Sequence, residues 1–318
     1  MIKHLFAVGL CALSLFAQAA FPEKPITVIV PYPPGGATDI LARKLAGPLS
    51  QRLGQPVIVE NKAGAGTAIG ATLVAKSAPD GYTLLISSNT TFTVNAALKN
   101  NLPYDPQKDF ESIGLIGGSP LVLLAHPKLP ANTVPEVVAL SRQESKGLNF
   151  GSFGVGTTAH LAGEMFKVVT ASNMVHVAYR GSAPAMTDLI GGQIPLTFDT
   201  TVAALPQMAT GKVKAIAVTS RQRSPQMPQV PTVAEAGFPD YEMVPWIAYV
   251  ARRGLPPAVN ARLSQALRAC LDDPQVKAEL QKVGLDVLFQ PGRVYDQRVA
   301  QELPLLRAYV HRANIPVE

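Results

Sequence analysis

The 318-residue sequence predicts an α/β protein of two lobes, each a mainly parallel sheet flanked by helices. Three observations point there. A short β-branched stretch, a Gly-containing bend and an amphipathic helix follow one another four times, and such units build parallel sheets. They fall into two blocks of roughly 100 residues, each long enough for its own core. Beyond Val250 the character changes to helices. Crossings between the blocks are expected at Ser119–Leu123 and Val244–Tyr249. Residues 21–120 with 246–318 then form one lobe and residues 121–245 the other.

Residues 1–20 read as a signal peptide. Lys3 and His4 precede the apolar run Leu5–Phe16, and Ala17-Gln18-Ala19 has the small-x-small form of a cleavage site. The apolar run is too short for a comfortable membrane span, and Cys11 sits behind Leu10, which speaks against a lipid anchor. The expected product is an exported, periplasmic protein. Processing removes Lys3, leaving 27 Lys and Arg against 22 Asp and Glu, a net of +5. That mild excess suits an acidic small molecule, and the scattered basic residues exclude a nucleic-acid footprint. Only Cys270 remains, so no intramolecular disulfide forms; with Leu263, Ala266 and Leu267 on one helical face it reads as core.

The elements follow in order. Ile26–Val30 is a buried strand. Pro33, Pro34, Gly35 and Gly36 turn the chain into a helix carrying Ile40, Leu41, Leu45, Leu49 and Leu53, with Thr38 or Asp39 as expected N-cap. Strand Val57–Glu60 leads to the second bend at Gly64 and Gly66. Strand Leu84–Ser87 ends in Ser88-Asn-Thr-Thr91, and Phe110–Gly117 and Leu121–Ala125 are further strands. Thr133-Val-Pro-Glu136 is a capping box opening a helix to Gln143. Strand Asn149–Phe153 meets the third bend, Gly154–Thr158, and its helix. Strand Met174–Ala178 meets the fourth, Tyr179–Pro184, and a helix to Ile190. Strand Leu196–Asp199, helix Val202–Ala209 and strand Ala215–Thr219 complete the block, and Thr232-Val-Ala-Glu235 is expected to start a short helix. Trp246–Val250 is extended; helices Pro257–Leu271, Pro274–Val283 and Val294–Arg312, with strand Val287–Phe289, are expected to pack back onto the first lobe.

Catalytic patterns are sparse. There is no Gly-x-Ser-x-Gly, no His-Glu-x-x-His, and no metal spacing among His126, His160, His176 and His311. Gly154-Val-Gly-Thr-Thr-Ala159 fits a dinucleotide fingerprint, but the first unit lacks it and an exported protein rarely meets that cofactor. No cofactor, metal or enzymatic activity is expected. Binding fits better, because a helix N-terminus offers unpaired N–H groups and the positive end of its dipole to a carboxylate. Thr38, Ser87, Ser88, Asn89, Thr90, Ser152, Thr157 and Thr158 are the neutral partners. His160 either contacts a ligand or braces its loop, Arg180 is either a ligand contact or a surface charge, and Asp39 and Asp199 read as caps or braces.

Pro31-Tyr-Pro-Pro-Gly-Gly-Ala-Thr-Asp39, Val59-Glu-Asn-Lys-Ala-Gly-Ala-Gly66, Pro79-Asp-Gly-Tyr-Thr-Leu84, Gly151-Ser-Phe-Gly-Val-Gly-Thr-Thr-Ala-His-Leu161, Tyr179-Arg-Gly-Ser-Ala-Pro184 and Pro231-Thr-Val-Ala-Glu-Ala-Gly237 resemble the Bug family. These are the periplasmic receptors of tripartite tricarboxylate transporters. The resemblance spans the whole mature chain. It implies a two-lobed periplasmic binding fold, type II-like and monomeric, that closes on a small carboxylate and hands it to integral-membrane subunits. It also implies that Pro33–Asp39, Ser87–Thr90, Ser152–Thr158 and the Asp199 region line the cleft. The ligand-binding candidates are therefore Gly35, Gly36, Ala37, Thr38, Asp39, Ser87, Asn89, Thr90, Ser152, Gly156, Thr157, His160 and Asp199. Thr67, where a glycine is common, and Ala178, where proline often precedes Tyr-Arg-Gly, depart from the pattern and bear on loop shape and ligand identity.

Two other classes compete: an exported α/β enzyme acting on a carboxylate, and an orphan sensor or interaction protein. The first would lose turnover with one side chain, and the second would hold no small ligand. N-terminal sequencing of the exported form should begin at Ala20 or Phe21; an intact Met1 in the soluble periplasmic fraction would overturn the export reading.

Overall fold

Strand β1, Ile26–Val30, alternates between two cores: Ile26, Val28 and Val30 face one side of the first sheet and Ile29 the other. Both faces are covered by helices, so the strand is almost continuously apolar. The computed structural model describes residues 21–312 together with 315 and 317; the signal segment expected at 1–20 lies outside them. The first sheet adds β2 (Val57–Asn61), β3 (Thr83–Ser88), β4 (Phe110–Gly118), β10 (Trp246–Arg252) and β11 (Asp286–Gln290), in the order β2-β1-β3-β10-β4-β11. The second runs β7-β6-β8-β5-β9: Met174–Ala178, Leu148–Ser152, Leu196–Thr200, Leu121–Ala125 and Lys214–Val218.

Both sheets are mixed. β2, β1 and β3 pair parallel, and β10 pairs antiparallel with β3 and β4, so β1 to β4 share one direction. In the second sheet β5 is antiparallel to both β8 and β9, while β6, β7 and β8 are parallel. The mainly parallel expectation therefore holds by direction, with β5, β10 and β11 reversed. β5 and β10 are the first strands after each crossing. They enter their sheets at the cleft and run away from it, whereas the strands that feed helices run toward it.

Helices α1 (Ala37–Leu53), α8 (Pro257–Asp272) and α9 (Pro274–Lys282) share one core of the first sheet, and buried Cys270 belongs to it. α2 (Ala68–Ala75) and the start of α10 (Gly292–Arg312) cover the other face. In the second sheet α4 (Val134–Gln143) and α5 (Thr158–Thr170) cover one face, α6 (Ser182–Ile190) and α7 (Thr201–Ala209) the other.

Four expectations change. Gly36, not Thr38 or Asp39, is the N-cap of α1. The polar run after β3 winds into a π-helical turn, Thr90–Val94, and the short helix α3, Asn95–Leu98. The Thr232 capping box forms in full, with Glu235 N–H donating to Thr232 Oγ1 and Thr232 N–H to the Glu235 carboxylate, both at 2.9 Å. It supports a single turn only, because Gly237 takes φ +101° and Pro239 follows. Lastly, α10 does not stay on the first lobe. Tyr295 and Val299 lie in the first lobe's core, but Leu306, Tyr309 and Val310, with Ile315, pack into the second lobe's core beside Val94, Ala97 and Leu98 of the α3 segment.

Gly163 of α5 shows how tightly these layers fit. A Cβ there would lie 2.0 Å from the ring of Phe150, which is fully buried against His176 and Phe198. Alanine normally favours a helix over glycine by about 1 kcal/mol. Overpacking a fixed ring costs about 1–3 kcal/mol, so strain wins. Gly163→Ala should lower the urea midpoint; an unchanged or higher midpoint would mean the ring moves freely.

Candidate functional site

The four bends meet in two pairs. In the first bend Gly35 adopts φ +80° and its N–H donates to Asp39 Oδ2 at 2.9 Å. Ile40 is the first residue of α1 whose N–H reaches a helical acceptor, Gly36 O at 3.0 Å. Among the described residues no hydrogen bond engages the N–H groups of Ala37, Thr38 and Asp39. The fourth bend faces this one: a Cβ on Gly181, the N-cap of α6, would stand 3.1 Å from Pro33 Cγ. Between them lies a cavity of about 80 Å³, lined by Gly36, Ala37 and Thr38 on one side and by Gly181, Ser182 and Thr200 on the other. Ser119 and Pro245, one from each crossing, line it as well.

The second and third bends meet elsewhere. A Cβ on Gly66 would be 3.2 Å from Val155 O, and one on Gly156 would be 3.0 Å from Asn95 Oδ1. Asn95 Nδ2 donates to Gly66 O and, at 3.1 Å, to Thr67 Oγ1. This is a packed contact rather than an opening. The start of α5 is likewise occupied: Thr158 N–H donates to Thr90 Oγ1 at 3.0 Å and Thr158 Oγ1 to Asn89 Oδ1 at 3.0 Å.

Of the sequence-derived candidates, Gly36, Ala37 and Thr38 line the cavity, as do the expected neutral partners Ser88 and Thr158. Gly35 and Asp39 shape the loop behind it. Burial alone would raise the Asp39 pKa, but bonds from Arg43 (3.0 Å), Gly35 N–H and Asn61 (2.9 Å) hold it below the ordinary value. Ser87 is buried, bonded to Thr91 and to Tyr32 OH, and Ser88 rather than Ser87 faces the cavity. Ser152 bonds His176 Nε2 at 2.7 Å; Thr157 caps α5 through His160 N–H at 3.3 Å. His160 Nδ1 accepts from Gly156 N–H at 3.2 Å and its ring stacks on His176 with centroids 4.2 Å apart. Burial, then the neighbouring His160, push His176 down to about 3, so its imidazole is neutral. Asn89, Thr90, Ser152, Gly156, Thr157 and His160 are absent from the cavity lining, and Arg180 is exposed outside it.

Asp199 sits behind Ser182 and Thr200. Its carboxylate accepts from Ser182 Oγ and from Thr200 N–H, both at 2.7 Å, with no basic partner among the described residues. Sequence reasoning did not assign Tyr32, Val202 and Ile247 to the lining, whereas Phe153 falls in the expected Ser152–Thr158 loop. The two crossings and the fourth bend were the available signals, since Ser119, Pro245 and Ile247 fall in the former and Gly181 to Pro184 in the latter.

Burial raises Asp199 from 3.8 to about 6. The folded protein thus holds this proton more tightly than the unfolded chain. Its contribution is complete below pH 3.8 and is lost as pH rises through 6. Asp199→Asn should remove that loss, which is on the order of 3 kcal/mol between acid and neutral pH. Urea unfolding of both proteins at several pH values checks this; parallel pH profiles would contradict it.

The chain is similar to known proteins along most of its length. The family model described as tripartite tricarboxylate transporter family receptor matches residues 41–314. Protein BugT of Bordetella pertussis is 38% identical over 257 residues, covering 80% of this chain and 79% of its own. The structure of periplasmic binding protein BugD superposes with a TM-score of 0.88 at 35% identity, covering 93% of this chain and 99% of its own. That of R. palustris Rpa4515 with adipate gives 0.89 at 32% identity, with the same shares of the two chains. A match that runs from the first helix past the last, on relatives of the same two-lobed fold, means that the chain belongs to the tripartite tricarboxylate transporter family receptors, which are binding proteins and not enzymes.

Proposed function

We propose that this protein is exported to the periplasm, captures a small carboxylate between its lobes as a monomer, and delivers it to the integral-membrane subunits of a tripartite tricarboxylate transporter. The observation that carries the reading is the start of α1. The unengaged N–H groups of Ala37 and Thr38 and the positive end of a 17-residue helix open on a cavity with no lysine or arginine in its lining. Each hydrogen bond from such a donor to a carboxylate contributes about 1.5–3 kcal/mol. Neutral donors suffice because they are pre-set by the helix. The structure of Rpa4515, a relative of the same fold, is one with adipate, which supports a carboxylate in this cleft.

In this reading residues 21–120 with 246–318 are one body and residues 121–245 the other, closing about the two crossings. The exceptions to this division are the second half of α10 and the α3 segment, which share the second body's core and move with it. Gly36, Ala37 and Thr38 bind directly; Gly35, Asp39, Ser87 and Asp199 set the walls, while Asn89, Thr90, Ser152, Gly156, Thr157 and His160 hold the lobes in register.

Ligand at 100 times its Kd stabilises the folded form by about 2.7 kcal/mol. Protein stripped by unfolding and refolding should therefore melt several degrees higher with a fitting carboxylate, and not with sugars or neutral amides. Gly36→Val should weaken that binding more than tenfold, over about 1.4 kcal/mol. Gly36 has φ −75° and a Cβ would meet only Pro33 O at 3.4 Å, so the side chain blocks the anion without straining the loop. A flat response across a broad carboxylate panel, or undiminished binding by Gly36→Val, would defeat the proposal.

A further inference from the structure

The chemistry around the cavity goes beyond a carboxylate in general. Four helices, α1, α5, α6 and α7, start at the cavity, yet their positive ends are not equally available; the first turn of α5 is already met by Thr90 Oγ1. At α1 the acid in the first turn, Asp39, has its own counter-charge in Arg43 at 3.0 Å. The pole is left for an external anion. Beside α6 and α7 stands the buried carboxylate of Asp199, which accepts from the Ser182 hydroxyl and from the N–H of Thr200, the N-cap of α7, with no cation in its hydrogen-bond shell; the N–H groups of Ser182 and Ala183, engaged by no hydrogen bond among the described residues, lie next to that charge. A second anion brought there would meet a fixed negative charge in a poorly solvated place.

The hydroxyls tell the same story. Tyr32 OH and Ser88 Oγ bond each other at 2.8 Å, Thr158 is held by Asn89 and Thr90, and Thr200 Oγ1 accepts from Ala203 N–H at 3.2 Å. Thr38 lies beside the α1 donors, and the neutral hydroxyl donors left at the crossing are Ser119 and the one proton that the Tyr32–Ser88 pair does not use. The remaining wall is Leu41, Phe153, Pro184, Val202, Pro245 and Ile247. Burying a second carboxylate against such side chains, near the Asp199 charge, costs more than the contacts return.

We infer that the preferred ligand is a monocarboxylate with an apolar body, its carboxylate at the start of α1 and its hydrocarbon or aromatic part against the Phe153, Val202 and Ile247 wall. This inference rests on the carboxylate-receptor reading above and narrows it.

Calorimetric titration of the stripped, refolded protein at neutral pH separates the two. Hexanoate and adipate share one six-carbon chain and differ only in a terminal methyl or carboxylate; benzoate, malate and hexanamide complete the set. Hexanoate or benzoate should bind at least tenfold more tightly than adipate and malate. Equal or tighter binding of either dicarboxylate overturns the inference and leaves the receptor reading standing. If no acid binds more tightly than hexanamide, both fall. Val202→Thr, checked for folding by circular dichroism, should shrink the hexanoate-to-adipate ratio at least threefold. An unchanged ratio would overturn the placement of the apolar body on this wall.

Discussion

Where the chain passes between lobes, its two crossing segments lie against each other so closely that no side chain fits. A Cβ on Gly118 would be 2.4 Å from the carbonyl oxygen of Pro245, and Ser119 N–H donates to that same oxygen at 3.3 Å. Much of the architecture depends on this contact. It fixes one floor for the cleft, and it sends β5 and β10 away from that floor as the reversed strands of otherwise same-direction sheets. The strands that run toward it deliver α1, α5, α6 and α7 with their N-termini at the interlobe surface. A ligand site between lobes follows from the crossing geometry before any side chain is chosen.

Side chains then decide which pole stays open. Thr90, from the segment after β3, supplies the oxygen that the first turn of α5 needs, and Asp199 stands beside the starts of α6 and α7, held by the Ser182 hydroxyl and the Thr200 N–H. The cost of each arrangement differs. A hydroxyl donated across lobes is neutral and cheap to bury once paired. A buried carboxylate without a cation is expensive, which is why its pKa rises. Keeping such a group at the cleft is consistent with a role in shaping what can enter, rather than in holding the fold together.

The elements were largely legible because their signals are local. β1 and β7 have the bounds that alternation and β-branched content give, and Thr133 and Thr157 cap their helices as the capping chemistry requires. What the residues alone could not reveal was which bend faces which. Gly64–Gly66 and Gly154–Gly156 carry the same signature as the cleft bends, yet Asn95 and Val155 close them against each other. That pairing is a tertiary fact, set by how far each strand projects. The same holds for the Asn89, Thr90 and His160 group, whose polarity reads as ligand chemistry but is spent on joining loops. The apolar wall escaped because Val202 and Ile247 look like ordinary helix and strand residues until the lobes meet.

Helix α10 begins in one lobe's core and ends in the other's, with Pro304 between Val299 and Leu306. Proline removes a backbone bond there and softens the helix at the point where it changes partner. This makes the far end of the chain a poor place for a handle. A fusion, fluorophore or purification tag attached near Ile315 pulls on residues buried in the second lobe. An assay of lobe movement built on such an attachment would report on its own perturbation; the exposed turn at Gly211, on the rim of the second sheet, is the more neutral anchor.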